Sequence, residues 1–235
     1  MALMRLNKFL SEAGITSRRN ADNLIKEGRI QVNNKIVTEL GFKIDLNKDK
    51  VYFDGQLIKP PKFVYYIFHK PAGYITTLKD EKKRKTIFDL IKLPYRVFPV
   101  GRLDRDTTGV LLLTNDGDFA NFLMHPKNKI LREYIATLDK PLPETLIKSL
   151  KIINLSDGPV KIDSVAYADK SKKKIQIALR EGRNRIVKRI FAKLGFQVKA
   201  LHRISYAGFR VNNIPLGKLV QIPESEIKKV YSKHE

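Results

Sequence analysis

The sequence predicts an α+β protein: a mixed, largely antiparallel sheet in a large C-terminal domain, preceded by a small N-terminal domain. Three observations carry this. Stretches alternating with period two outnumber stretches with helical spacing, and tight-turn dipeptides recur between them, as neighbouring antiparallel strands require. Lys59-Pro60-Pro61-Lys62 lacks two backbone donors, is stiff and stays solvated, so it reads as a linker (59–62) dividing 1–58 from 63–235. Hydrophobic residues make up 43% of the 235, enough to bury a core.

In the first segment, Leu6, Phe9 and Leu10 give a short helical stripe that Gly14 stops. Ser17 is an N-cap for a second helix burying Ala21, Leu24 and Ile25, which Gly28 ends. Ile30 and Val32 alternate as a strand, Asn33-Asn34 turns it, and Ile36 and Val37 continue. Val51 and Phe53 repeat the pattern, with a turn at Asp54-Gly55 and Leu57 after it.

The second segment predicts a strand at 63–68, a turn at Lys70-Pro71-Ala72-Gly73, extended chain at 74–77 and a charged loop at 78–85. Thr86 caps a short helix through Ile91, and 95–100 is a strand. A polar loop, Gly101-Arg102-Leu103-Asp104-Arg105-Asp106, then runs into an apolar strand at 110–113 and a turn at Asp116-Gly117. A helix at 118–124 stops at His125-Pro126. Strands are expected at 131–138, 160–168, 174–179, 198–206 and 219–222, with an amphipathic helix at 143–152 and a tail helix from Glu224. Ile186, Val187, Ile190, Phe191 and Leu194 give the basic stretch 180–190 helical periodicity, ended by Gly195.

Forty-six Lys+Arg against 24 Asp+Glu leave a formal charge of +22, which calls for a polyanionic partner. Nucleic acid fits best. No apolar run approaches the roughly 20 residues of a spanning helix, and no leader peptide is visible, so a cytoplasmic location away from membrane is expected. With no Cys there is no disulfide, thiolate zinc site or Cys nucleophile.

A loop carrying an acid beside fixed cations, on the shoulder of a buried strand, is a natural place for chemistry. Asp104, Asp106, Asp116 and Asp118 could suggest a metal nuclease, but Arg102 and Arg105 flank the acids and supply competing charge. No P-loop occurs. His69, His125, His202 and His234 are scattered and have surface or turn readings.

The series helix, Gly14, Ser17-Arg18-Arg19, helix, Gly28-Arg29-Ile30, Val32-Asn33-Asn34 resembles the αL RNA-binding motif of a small-subunit ribosomal protein. The resemblance implies that Arg18, Arg19, Lys26 and Arg29 meet RNA phosphates. Lys70-Pro71-x-Gly73, Gly101-Arg102-Leu103-Asp104 with Thr107-x-Gly109, Arg132-Glu133-Tyr134, 181–189 and Leu201-x-Arg203 to Gly208 together resemble the pseudouridine synthase family. The similar branch is the ribosomal one that includes RsuA, RluB, RluE and RluF.

That resemblance implies the fold of those enzymes and a reaction in which uracil leaves its ribose at nitrogen, turns, and is reattached through carbon. It implies no cofactor and no metal. Asp104 would be the catalytic carboxylate, Lys188 its cationic partner and Tyr134 the residue stacking on the detached base. Arg102 would fill the gap left by the flipped base, and Leu201 would wall the uracil pocket. Arg183, Arg185 and Arg189 would contact RNA. Asp106, Asp116 and Asp118 are expected in turn and helix-start roles. Ile186 and Val220 stand where relatives commonly carry Gln and Arg. The run Arg183-Asn184-Arg185 looks more like RluB and RluF than RsuA, which favours large-subunit ribosomal RNA as the partner of a monomer. The alternatives are small-subunit ribosomal RNA, or a non-catalytic assembly factor on the same scaffold.

Overall fold

The computed structural model describes residues 3–60, 62–78 and 80–232. Pro61 of the expected linker, Lys79 of the charged loop and His234 lie outside them. The chain forms two compact units. One comprises Met1–Val64, Pro94–Val97 and Asn115–Gly117; the other comprises Tyr65–Leu93, Phe98–Thr114 and Asp118–Glu235.

In the first unit the elements are β1 (Leu3–Arg5), α1 (Leu6–Glu12), α2 (Arg18–Lys26), β2 (Ile30–Val32), β3 (Lys35–Ile36), β4 (Lys43–Asp45), β5 (Val51–Phe53) and β6 (Gln56–Leu57). Strand order is β3-β2-β5-β6, and β1 pairs separately with β4. Ser17 caps α2 by accepting from the amide of Asn20. Asn33 and Asn34, then Asp54 and Gly55, hold the paired positive φ values of two-residue hairpin turns. Leu6, Leu10, Ala21, Ile25, Ile30 and Ile44 bury an apolar centre, each large side chain contributing roughly 1.5–3 kcal/mol. Leu24 is only half buried, because Ala21 and Ile25 already fill the inward stripe of α2.

The second unit runs β7 (Tyr65–Lys70), a 3-10 turn (Ile87–Asp89), β8 (Phe98–Pro99), β9 (Thr107–Thr114), α3 (Gly117–Met124) and β10 (Arg132–Leu138). It continues with α4 (Glu144–Ser149), β11 (Ile152–Leu155), β12 (Gly158–Tyr167), β13 (Lys174–Leu179), α5 (Ile186–Lys193), β14 (Val198–Tyr206), β15 (Phe209–Arg210), β16 (Leu219–Gln221) and α6 (Glu224–Ser232). The sheet order is β11-β12-β13-β10-β14-β9-β7-β16, with β8 on β9 and β15 on β14. Among the described residues its pairings are antiparallel except β9 with β14.

Several predicted boundaries shift. The strand expected at 63–68 starts at Tyr65 and ends at Lys70, because Phe63 is exposed. The chain at 74–77 keeps one bridge, Ile75 to Thr86, and 95–100 pairs only at Phe98–Pro99. The helix through Ile91 is a single 3-10 turn, closed by the Asp89 carboxylate accepting from the Thr86 amide. The helix expected at 118–124 begins one residue earlier, at Gly117, so the Asp116-Gly117 step leads directly into α3. The helix expected at 143–152 closes after Ser149, and Ile152 opens β11.

Candidate active site

The loop that enters β9 is held from behind by the residues following β7. The Thr76 hydroxyl donates to the carbonyl of Leu103 at 2.9 Å and accepts from its amide at 3.3 Å. Gly73 N–H donates to the Arg105 carbonyl at 2.7 Å, and Arg105 Nε returns a bond to the Gly73 carbonyl. Lys70 is fully buried and donates to the carbonyls of Pro71, Asp104 and Thr107 at 2.9–3.1 Å, with Arg105 at 3.4 Å. The sequence places Lys70 in a turn and in a motif shared with the family, without indicating that it is buried. Strand parity was the available signal: Tyr66, Phe68 and Lys70 share one inward face.

Asp104 is a third exposed, and its Oδ2 lies 3.2 Å from Lys188 Nζ. Helix α5 positions that lysine by burying Ile186, Val187, Ile190 and Phe191, which leaves Lys188 and Arg189 on other faces. Asp106 sits in the turn expected of it and also forms an ion pair. Lys188 Nζ donates to both its carboxylate oxygens at 2.7 and 2.8 Å, closer than to Asp104. The hydrogen bond from Lys188 holds the Asp106 carboxyl below the usual carboxylate range, helped by the charges of Lys188 and Arg185. Arg185 is the exposed N-cap of α5, with Nε 3.7 Å from Asp104 Oδ2.

A cleft of about 680 Å³ opens beside this loop and includes Arg102, Asp104, Tyr134, Leu201 and Arg203 in its walls. Sheet register sets the wall. Tyr134 on β10 pairs with Arg203 on β14, and Ala136 pairs with Leu201. On the other side Leu201 pairs with Thr107 and Arg203 with Gly109 of β9. Directly paired residues share a face, so Tyr134, Leu201 and Arg203 line one side. Tyr134 and Leu201 are 7% and 8% exposed, the tyrosine being both core and cleft wall. Arg203 Nε donates to the Val110 carbonyl at 2.7 Å, and its guanidinium lies over the Tyr206 ring, as does that of Arg132. Arg102 is exposed on the cleft.

The remaining predicted RNA contacts divide into two groups. Arg183 bonds Glu181, Asp157 and the carbonyls of Gly158 and Pro159. Arg189 also grips Asp157. Asp157, absent from the sequence reading, thereby ties the β11–β12 turn to α5 and its preceding loop. Ile186 is buried where it packs against the core, which accounts for an apolar residue at that position. Val220 is half exposed on β16 and pairs with Ile67. In the first unit Arg18, Arg19 and Lys26 are exposed on α2, whereas Arg29 is ion-paired with Asp54 and lies over Phe53. His69 and His202 are not surface residues: they are half-buried with rings 5.5 Å apart, and His202 Nδ1 contacts the Thr108 hydroxyl at 2.7 Å.

Among the described residues no three His, Asp or Glu side chains are grouped as a metal site, and no helix is long and apolar enough to cross a membrane.

This arrangement has close counterparts. A ribosomal large subunit pseudouridine synthase B of Bacillus subtilis (strain 168) is 40% identical over 96% of this chain and 95% of its own. The dual-specificity RNA pseudouridine synthase RluF of Escherichia coli (strain K12) is 36% identical, covering 95% of this chain and 77% of its own. A crystal structure of a pseudouridylate synthase superposes with a TM-score of 0.69 at 29% identity, over 97% of this chain and 99% of that one. The S4 domain family matches residues 4–50, and the RNA pseudouridylate synthase family matches residues 64–193. By these matches, and with an acid–lysine pair set at the edge of a cleft beside the sheet, the chain belongs to the RNA pseudouridylate synthase family and carries an N-terminal S4 RNA-binding domain.

Proposed function

We propose that this synthase isomerises a specific uridine of large-subunit ribosomal RNA, with residues 1–58 as the RNA-binding module and 63–235 as the catalytic domain. The observation that carries the site assignment is the Asp104 carboxylate, 3.2 Å from the Lys188 ammonium, in a cleft walled by Tyr134 and Leu201. The substrate assignment rests on the likeness to the Bacillus subtilis relative described as a large-subunit enzyme.

In the reaction the N1–C1′ bond breaks and its electron pair leaves with the uracil ring. C5 then bonds to C1′, N1 gains a proton and C5 loses one, so atoms and charge balance without redox chemistry. Asp104 either adds to the ribose or takes a ribose proton, and both roles need it ionised. Lys188 favours that state by its charge. The Tyr134 ring gives the detached base a face to stack on. Leu201 keeps that side apolar. Arg102 has the flat cation that fills a vacated stack. Exposed Arg18, Arg19, Lys26 and Arg185 supply phosphate contacts.

The test maps pseudouridines in ribosomal RNA from cells lacking the gene, complemented by wild type or by Asp104→Asn. Wild type is expected to restore a site in large-subunit RNA. D104N is expected to restore none while binding RNA within a few-fold of wild type. A site restored only in small-subunit RNA overturns the substrate assignment, and turnover by D104N overturns the catalytic one.

A further inference from the structure

We infer that the first unit holds a second RNA site: a pocket that takes one unpaired nucleotide, its base against Tyr95 and its phosphate on Arg96, Lys59 and Lys62. The inference deepens the RNA-binding reading above and rests on it.

The pocket has a volume of about 390 Å³. Its walls come from the chain joining α1 to α2, from β5 and β6, from 58–60 and 62, and from 94–96. All of these segments belong to the first unit. Hydrogen bonds fix its shape. Arg96 Nη1 donates to the Thr16 carbonyl at 3.0 Å, which ties 94–97 to the α1–α2 connection. Asn115 Nδ2 donates to the Lys62 carbonyl at 2.9 Å, and its Oδ1 accepts from the Val64 amide at 2.8 Å. Asn115 is therefore spent on holding the wall.

The charges suit an anion. Arg96 is half-buried, and no carboxylate pairs with it among the described residues. Burial pushes its pKa down, and no acid acts upward. Beyond Thr16, its N–H groups meet no protein acceptor among the described residues. A cation partly withdrawn from water with no counter-charge is costly, and a phosphate supplies what it lacks. Lys59 and Lys62 are exposed and unpaired among the described residues. Glu12, an acid in the wall, is 4% exposed and lies 3.8 Å from Lys8 Nζ, so it does not confront an incoming phosphate.

The apolar part suits a ring. Tyr95 is exposed and makes no ring contact among the described residues, and Ile15, Leu57 and Pro60 complete the lining. An open aromatic face beside cations is the combination that holds single-stranded nucleic acid, with backbone on charge and base on ring. The volume lies near the low end of small-ligand sites, roughly 300–1,000 Å³. That admits one nucleotide and excludes a duplex, whose bases are stacked inside. Position agrees: Thr16 directly precedes the cap Ser17 and the exposed Arg18 and Arg19, so the pocket adjoins the basic start of α2.

The experiment measures binding of the full-length protein to oligouridylate and to an abasic oligomer of the same length, which carries the same phosphates and no bases. Wild type is expected to prefer oligouridylate. Tyr95→Ala should weaken oligouridylate at least about fivefold, the low end for one base stacked on an aromatic ring, and leave the abasic oligomer within about twofold. Y95F should bind like wild type. Lys62→Ala should weaken both oligomers alike and lower the slope of log affinity against log salt by about 0.7, the single-strand value for one phosphate contact. Equal losses on the two oligomers in Y95A, or no loss, overturn the inference, and an unchanged slope in K62A overturns its phosphate half. Should Y95A not fold, crosslinking of a 4-thiouridine oligomer to wild type decides: attachment at 94–96 or 57–60 supports the pocket, and attachment only elsewhere overturns it. If wild type binds neither oligomer, the RNA-binding reading fails as well. If Y95A binds oligouridylate as tightly as wild type does, only the pocket fails.

Discussion

Gly109→Ala should be the most damaging methyl group that can be added to the second unit. Gly109 sits in β9 with φ +112°, and a Cβ built there lies 2.2 Å from the carbonyl oxygen of Arg203, with the Arg203 amide nitrogen and carbonyl carbon at 2.7 and 2.8 Å. All three atoms are backbone, so no rotamer relieves the contact. The chain must either change φ or move β9 off β14, and their parallel pairing runs only from Thr107–Leu201 to Gly109–Arg203. Gly101 provides the control. Its φ of +74° is also left-handed, but nothing lies within 4 Å of an added Cβ. G101A therefore isolates the backbone penalty, about 1–2 kcal/mol. G109A adds the clash and the disrupted pairing, for a total of roughly 4 kcal/mol or more, in the range reserved for named structural damage. At about 2–4 °C per kcal/mol for a chain of this size, calorimetry should show G101A down by a few degrees and G109A down by about 10 °C or more. Equal shifts in the two variants would refute the close-approach argument.

Arg185→Ala removes an exposed guanidinium and should lower the slope of log affinity against log salt by roughly 0.7–0.9. Arg183→Ala, whose guanidinium is occupied by Glu181, Asp157 and two carbonyls, should leave that slope nearly unchanged. RNA titrations at several salt concentrations separate them, and equal slope changes would contradict the division. Asp106 has its carboxyl held low by the Lys188 hydrogen bond, so it adds stability above the unfolded carboxylate pKa and loses it as pH falls through the lower folded value. Because Asp106 is 71% exposed, the amount is under about 1 kcal/mol. Thermal midpoints between pH 5 and 3 should fall less steeply for Asp106→Asn than for wild type, and parallel curves would exclude the pair.

Periodicity marked the second-unit strands well where both faces carry a clear pattern: β13 and β14 run over the residues that alternation indicates. The resemblance brought Asp104, Tyr134, Lys188 and Leu201 into view; strand register puts Tyr134 and Leu201 on one face, and a salt bridge joins Lys188 of α5 to Asp104. What stayed hidden depends on partners far along the chain. Asp106 and Lys188 are 82 residues apart, and nothing local says that the lysine prefers Asp106 to Asp104. Asp157 carries no signal in the sequence, and its role shows only where Arg183 and Arg189 converge on it. The burial of Lys70 was not legible because lysine is by default a surface residue, although its parity with Phe68 points inward. Short edge elements such as β1 and β15 carry too few residues to show a period.

The parallel pairing of β9 with β14 explains how distant segments meet at one acid. In a parallel pair the chains entering both strands arrive at the same end of the sheet. The Asp104 loop enters β9, and α5 precedes β14, so Lys188 and Asp104 are delivered to one end. An antiparallel neighbour would place those entries at opposite ends, and the same residues could not form a pair. Register then matters as much as direction. Because side chains alternate, a slip of one residue between β10 and β14 would send Leu201 and Arg203 to the far face while Tyr134 stayed. Gly109 is the residue that permits the close parallel approach. Its missing side chain, through β14, is thus a condition for the acid–lysine pair as well as for the sheet.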